Sequence, residues 1–362
     1  MTHSQRRVRL AGLLAADGLD ALLVSDLVNV RYLSGFTGSN AAILIFADGA
    51  PPVLATDSRY RTQASRQAPD LDLMIERACG RHLVARAVAG GAARIGFESH
   101  IVTVDGFTAL SEQLSGRAEL VRAPGRVEAL REVKDAGEVA LLRLACEAAD
   151  AALSDLVGSG GLRPGRTERA VARELESRML DHGADGASFE TIVATGPNSA
   201  VPHHRPTAAE LAPGDFVKID FGALVGGYHS DMTRTFVLGE PQVWQRDIHH
   251  IVRTAQRAGR RALVAGAPLC EVDAAARRVI EDAGYGDCFG HGLGHGVGLQ
   301  IHEAPGIGAT ATGSLPAGSV VTVEPGLYLP GRGGVRIEDT LVVGEREPEL
   351  LTRFPKELMV VG

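Results

Sequence analysis

Apolar residues recur at helical spacing in some stretches of the chain and in short β-forming runs in others, and their order sketches the fold. Residues 5–17 read as an amphipathic first helix that stops near Gly18. Short strands are predicted at 21–25, 41–46, 53–55 and 94–97, with the turn-forming Asp48-Gly49-Ala50-Pro51-Pro52 between the second and third. A Pro-Gly junction at 122–126 reads as a linker. Beyond it Val139, Leu142, Cys146, Ala149, Leu153 and Leu156 fall three and four residues apart, one face of a long helix that ends at Gly158-Ser159-Gly160-Gly161. Further helices are predicted at 167–182, 244–265 and 271–283. Strand-rich segments lie between and after them, at 189–194, 216–220, 233–238, 319–324 and 335–343. No repeat and no low-complexity segment interrupts this order.

The order predicts an α/β (α+β) protein of two domains, a small one at 1–125 and a larger one at 126–362. A chain of 362 residues is long enough for both, and 45% hydrophobic with 22% charged residues is a globular composition. The net charge of −7 argues against a nucleic-acid partner, which calls for a basic surface. Cys79, Cys146, Cys270 and Cys288 form no CxxC pair and are expected to be free thiols of a cytoplasmic protein. Arg6-Arg7-Val8-Arg9 before an apolar stretch imitates a secretion signal, but the stretch is short and Asp17 and Asp20 follow it. No apolar run approaches the ~20 residues of a membrane helix, so no membrane partner is expected.

The chemistry-bearing residues gather in the second domain. Phe216-Val217-Lys218-Ile219-Asp220 and Asp231-Met232-Thr233-Arg234-Thr235 flank Gly226-Gly227. A hairpin folded there would bring Asp220 and Asp231 side by side at its open end. Two carboxylates that close repel unless a cation lies between them, although an aspartate at a strand end also serves as a turn or cap residue. Glu324 and Glu338 interrupt the apolar runs Val320-Val321-Thr322-Val323 and Gly334-Val335-Arg336-Ile337. A glutamate in such a run is buried only when paired or bound to metal. The third element runs from Phe289 to Glu303 and sets His291, His295 and His302 among glycines, without GxGxxG spacing. A lone histidine is usually structural, whereas three within twelve residues of such a segment point to a site. Two Asp, two Glu and one His suit two hard or borderline divalent ions better than a structural zinc site. Carboxylates shared by such ions hold them about 3.5–4 Å apart.

These motifs resemble the M24B metallopeptidases, the proline-specific members of the methionine aminopeptidase fold group, over essentially the whole chain. The resemblance rests on Arg31-Tyr32-Leu33-Ser34-Gly35-Phe36-Thr37-Gly38, Val133-Lys134, Ser230-Asp231-Met232-Thr233-Arg234-Thr235-Phe236, Gly294-His295-Gly296-Val297-Gly298-Leu299-Gln300-Ile301-His302-Glu303, Val323-Glu324-Pro325-Gly326 and Gly334-Val335-Arg336-Ile337-Glu338-Asp339. It implies a small N-terminal creatinase-like domain and a C-terminal pita-bread domain with a curved antiparallel sheet flanked by helices. It also implies two divalent metal ions, with Mn²⁺ expected and Zn²⁺ or Co²⁺ as alternatives. Asp220 would chelate one ion, Asp231 and Glu338 would bridge the two, and His295 and Glu324 would complete the shell of the second ion. Glu324 would also be the general base. His203, with His204 one register away, would contact substrate and shuttle protons, and His302 would stabilise the tetrahedral intermediate. His291 and Arg336 resemble the wall of a proline pocket. A proline-containing peptide would be the substrate and a homodimer the assembly.

Within the family, prolidase-like members often carry an arginine soon after the His-Glu motif to hold a dipeptide's carboxylate. Here Gly306 follows His302, and no Lys or Arg lies between His302 and Glu324. The sequence therefore favours an Xaa-Pro aminopeptidase, with an Xaa-Pro dipeptidase as the alternative. Same-fold enzymes that cleave non-peptide C–N or C–S bonds, and non-catalytic pita-bread binding modules, are weaker alternatives. The creatinase-like and non-catalytic members lose ligands, and all five are present here.

Overall fold

The computed structural model describes all 362 residues and divides into two compact units, Met1–Arg131 and Glu132–Gly362. The division falls past the Pro-Gly junction because the short helix Glu128–Arg131 is held within the first unit. Arg131 donates from Nη1 to Asn29 Oδ1 at 2.7 Å, and the Tyr32 hydroxyl donates to the Leu130 carbonyl at 3.1 Å.

The first unit is a six-stranded mixed sheet in the order Asp72–Ile75, Val53–Thr56, Ala41–Phe46, Ala21–Val24, Arg94–Phe97, Glu119–Arg122. The four central strands are those the sequence predicts. The two edge strands escaped because their side chains are largely exposed or half-buried and show no apolar run. The first helix, His3–Ala16, opens with a capping box between Thr2 and Gln5. Its Arg6 and Arg7 are buried, donating to the Tyr32 and Leu33 carbonyls, so the basic pair is part of the packing.

The second unit carries two helix-on-sheet halves. Helices Ala136–Gly158 and Glu168–Asp181 pack through Leu153, Leu156, Val171 and Leu175 on the sheet Val360–Val361, Met232–Leu238, Phe216–Phe221, Ile192–Thr195. Helices Val243–Ala262 and Leu269–Asp282 pack through Val252, Ala255, Val272 and Ala276 on the sheet Glu303–Ile307, Gly294–Gly296, Val320–Val323, Asp339–Val342, Glu349–Leu350. All four helices lie within a few residues of their predicted positions. No helix is long and apolar enough to cross a membrane. All four cysteines are free.

The predicted strand 335–343 is two strands, Gly333–Arg336 and Asp339–Val342, and Val320–Val323 is likewise separate from Gly326–Leu329. Both ladders keep one register, Val323 opposite Asp339 and Gly326 opposite Arg336, so they are a single long hairpin broken at Glu324-Pro325 and Ile337-Glu338. Pro325 has no N–H to give to the ladder. At the break the Glu338 amide turns instead to the Thr233 carbonyl at 3.1 Å, joining this hairpin to the strand Met232–Leu238 of the other half. The site sits at that seam.

Candidate active site

Asp220 lies in the strand Phe216–Phe221, opposite Thr233. Asp231 immediately precedes the strand Met232–Leu238. The pair therefore sits at the turn end of its ladder, not at the open end as the sequence suggested. The ladder gives way beyond Phe221 to a small one formed by Ala223–Val225 and Tyr228–His229. Glu324 and Glu338 face each other across the break described above. His295 stands between two glycines for a steric reason. A Cβ at Gly294 would lie 2.1 Å from the Thr322 carbonyl oxygen, and one at Gly296 would lie 2.1 Å from that of Ala304. The backbone can run this close to both neighbouring strands only without side chains.

Ligating atoms of Asp231, His295 and Glu338 all lie within 4.8 Å of one another. His295 Nε2 is 3.4 Å from Glu324 Oε1 and 3.6 Å from Asp231 Oδ2. Asp220 Oδ2 accepts from the buried Arg336 guanidinium, while Asp220 Oδ1 is buried without a hydrogen-bond partner. Burial and mutual repulsion push the carboxyls of Asp231 and Glu338 well above their ordinary range. Glu324 is pushed up to about 7, mainly by burial, with Arg336 opposing the shift.

The residues fit divalent cations, and His295 shows why. Burial lowers its pKa to about 4, so the ring is neutral and one nitrogen carries the proton. Nδ1 is 3.0 Å from the Gly296 carbonyl, which only accepts, so Nδ1 is the donor. Nε2 is left as a lone pair facing two carboxylate oxygens. Such an arrangement of acceptors needs a proton or a cation between them, and carboxylate oxygens with one imidazole nitrogen are ligands for hard or borderline divalent ions.

The cluster opens onto a cavity of about 270 Å³. His203 and His302 line it, and the His302 ring packs edge-on against His295 with centroids 4.4 Å apart. Burial, and then the charge of His203, lower the pKa of His302. His204 also lines the cavity but is tied to the buried Glu168, Nε2 to Oε2, at 2.8 Å. His291 and Arg336, expected on the wall of a proline pocket, are not among the residues that line it. Arg336 is 2% exposed and donates to the Thr233 hydroxyl, the Pro202 carbonyl and the Tyr328 hydroxyl as well as Asp220. His291 stands behind it, with Nε2 at 2.9 Å from the same Tyr328 hydroxyl.

Several site residues were missed. Lys218 is buried in the strand of Asp220 and donates to the carbonyls of Val201 (2.6 Å) and Pro202 (3.2 Å), fixing the backbone just before His203. A lysine inside Phe216-Val217-Lys218-Ile219 breaks an apolar run as Glu324 does, so the signal was there. Glu168 accepts from the amides of Thr195 and Thr207 and from Asn198 and His204, holding the same segment from the other side. It reads in sequence as an ordinary first-turn residue of a helix. Lys134 pairs with Glu303 at 3.1 Å, both buried, and so anchors the segment that carries His302. Phe189, Glu190, Ile192, Arg205 and Ile301 complete the cavity wall.

Known proteins resemble this chain in sequence and in fold. Residues 140–345 match metallopeptidase family M24, and residues 6–133 match the creatinase/prolidase N-terminal domain. An Xaa-Pro dipeptidase from Pyrococcus horikoshii is 32% identical, over 95% of each chain. The structure of an Xaa-Pro dipeptidase from Bacillus anthracis superimposes with a TM-score of 0.95 at 38% identity, over 99% of this chain and 100% of that one. That of an X-Pro aminopeptidase from Thermotoga maritima gives 0.90 at 36% identity, over 98% and 99%. The chain belongs to metallopeptidase family M24, in its M24B branch, and is a metallo-exopeptidase with a creatinase-type N-terminal domain and a pita-bread catalytic domain.

Proposed function

We propose that the chain is an Xaa-Pro dipeptidase, hydrolysing dipeptides whose second residue is proline. The supporting observation is the convergence of the five-ligand cluster with His203, His302 and Arg205 on one small cavity. Dipeptidases among the similar proteins support it further. Arg205 matters because it is the one Lys or Arg on the cavity wall. The case for an aminopeptidase assumed that a carboxylate partner must follow His302, whereas Arg205 precedes Asp220 in the chain.

In this reading Asp220, Asp231, His295, Glu324 and Glu338 hold two divalent ions, Mn²⁺ being the expected metal. When bound, the ions would polarise the scissile carbonyl and ease the deprotonation of water. Glu324 takes the proton of the attacking water and returns it to the departing proline nitrogen, which leaves as a secondary amine. His302 is neutral near pH 7 and keeps one N–H to donate to the oxygen on which charge develops. His203 contacts the substrate near the leaving nitrogen, and Arg205 pairs with the proline carboxylate. An Xaa-Pro bond carries no N–H, and none of these contacts uses one.

A second reading, an Xaa-Pro aminopeptidase acting on longer peptides, is favoured by the likeness to the Thermotoga enzyme and by the lack of Lys or Arg between His302 and Glu324. Amino-acid release from Ala-Pro by Mn²⁺-loaded protein, abolished by a chelator, tests the proposal. No release from Ala-Pro under those conditions contradicts it.

A further inference from the structure

The helix Val243–Ala262 turns a basic face to solvent on a chain whose net charge is −7. A hollow of about 370 Å³ lies between this face and the segment around Arg353–Glu357. Arg253, Arg257, Arg260, Arg353 and Lys356 line it, against a single carboxylate, Glu357. Glu357 pairs with Arg253 at 2.6 Å. The side chains of Arg257, Arg260 and Arg353 make no ion pair and no hydrogen bond within the molecule. The floor is built: Lys356 Nζ lies 2.7 Å from Asp339 Oδ2, and Gln256 donates to the same oxygen at 2.8 Å. Asp339 is fully buried and also pairs with Arg234 at 2.8 Å.

Helix electrostatics explain only part of this. Cations in a last turn offset the negative end of the helix dipole, which accounts for Arg260 and Arg261. It does not account for Arg257 and Arg253, one and two turns further from the end, or for Arg353 on another segment. Unpaired guanidinium groups around one concave site repel one another and are stabilised together by a shared anion. Guanidinium forks match the oxygens of phosphate, and a group of up to two negative charges suits several forks at once.

We propose that this hollow binds a phosphate-bearing small anion, either free phosphate or the phosphate of a nucleotide. The site is distinct from the peptidase cavity and does not depend on which peptide the enzyme cleaves. Titration calorimetry on the metal-loaded protein in low salt tests it, with orthophosphate and AMP as probes and adenosine and succinate as controls. Saturable binding of orthophosphate or AMP at one site per chain is expected, and the tighter of the two names the source. Arg257→Glu and Arg353→Glu should each weaken it at least tenfold, and Arg122→Glu, an equal charge change in the other unit, less than twofold. Melting curves establish that the variants are folded, and Arg257→Gln and Arg353→Gln replace any that is not. Undetectable binding, succinate binding as tightly as phosphate, or equal weakening by all three charge reversals would overturn the proposal. A signal from chelation at the peptidase site would survive the Arg257 and Arg353 changes and would count against it too.

Discussion

At the residue scale, the centre is defined by atoms that call for a proton or a metal ion between them: the His295 Nε2 lone pair, the unpartnered Asp220 Oδ1 and three carboxyls with raised pKa. Asp231→Asn keeps the shape and removes one charge. It should lower kcat by at least about 100-fold, more than the loss of an outer-shell partner, with metal content falling in parallel. Full turnover by Asp231→Asn with two ions bound per chain contradicts the ligand assignment. Arg205 tests specificity. It is highly exposed and paired with Glu190 at 3.1 Å, so solvent screens its charge and its effect is modest. Arg205→Ala should lower kcat/KM for Ala-Pro about five- to tenfold, chiefly through KM, and leave Ala-Pro-Ala-Ala unchanged. An equal loss on both peptides would show that Arg205 does not read the free carboxylate.

At the element scale, the site depends on backbones that approach closely at a broken hairpin. Gly294→Ala sets a methyl group against the Thr322 carbonyl, 2.1 Å from its oxygen. The strand must move, and a cost of about 3 kcal/mol is expected in denaturant melts, with loss of the metal that His295 helps to hold. A wild-type melt with wild-type metal content would mean that the crowding does not fix His295. Much of this architecture was legible from sequence. The four long helices declared themselves by period and caps, Glu324 and Glu338 by interrupting apolar runs, and Asp220 and Asp231 by flanking the glycines of a hairpin. What stayed hidden depends on three-dimensional register. The break at Pro325 that brings Glu338 to Thr233, the place of Arg336 behind Asp220, and the hold of Lys218 and Glu168 on the His203 segment all join residues far apart in sequence. The edge strands Asp72–Ile75 and Glu119–Arg122 stayed hidden because partly exposed strands lack a hydrophobic signature.

At the scale of the whole molecule, the buried carboxyl cluster links metal, pH and stability. Glu324 titrates near its ordinary 4.5 when unfolded and at about 7 when folded, so between these values the folded chain holds the proton more tightly. Stability of the metal-free protein is therefore greatest below about 4.5 as far as this group is concerned, and falls as pH rises towards about 7. Divalent metal should reverse the loss, because it replaces the proton as the compensating charge. Thermal melts at several pH values, with and without Mn²⁺, check this. Burial also lowers the pKa of His249, His291 and His295 to about 4, which raises stability over the same range, so the Glu324 contribution is read as the difference from Glu324→Gln. A metal-free difference that does not change between pH 5 and 7, or a protein that Mn²⁺ fails to stabilise at pH 7, contradicts it.

Cleavage of a proline dipeptide at a divalent-metal centre is read from the products by mass spectrometry. Ala-Pro and Ala-Pro-Ala-Ala are incubated in parallel with Mn²⁺-loaded protein and with a chelated control. Metal-dependent release of alanine and proline from Ala-Pro is expected, with the longer peptide cut poorly or not at all. Removal of alanine from Ala-Pro-Ala-Ala with Ala-Pro left intact would contradict it and establish the aminopeptidase reading instead.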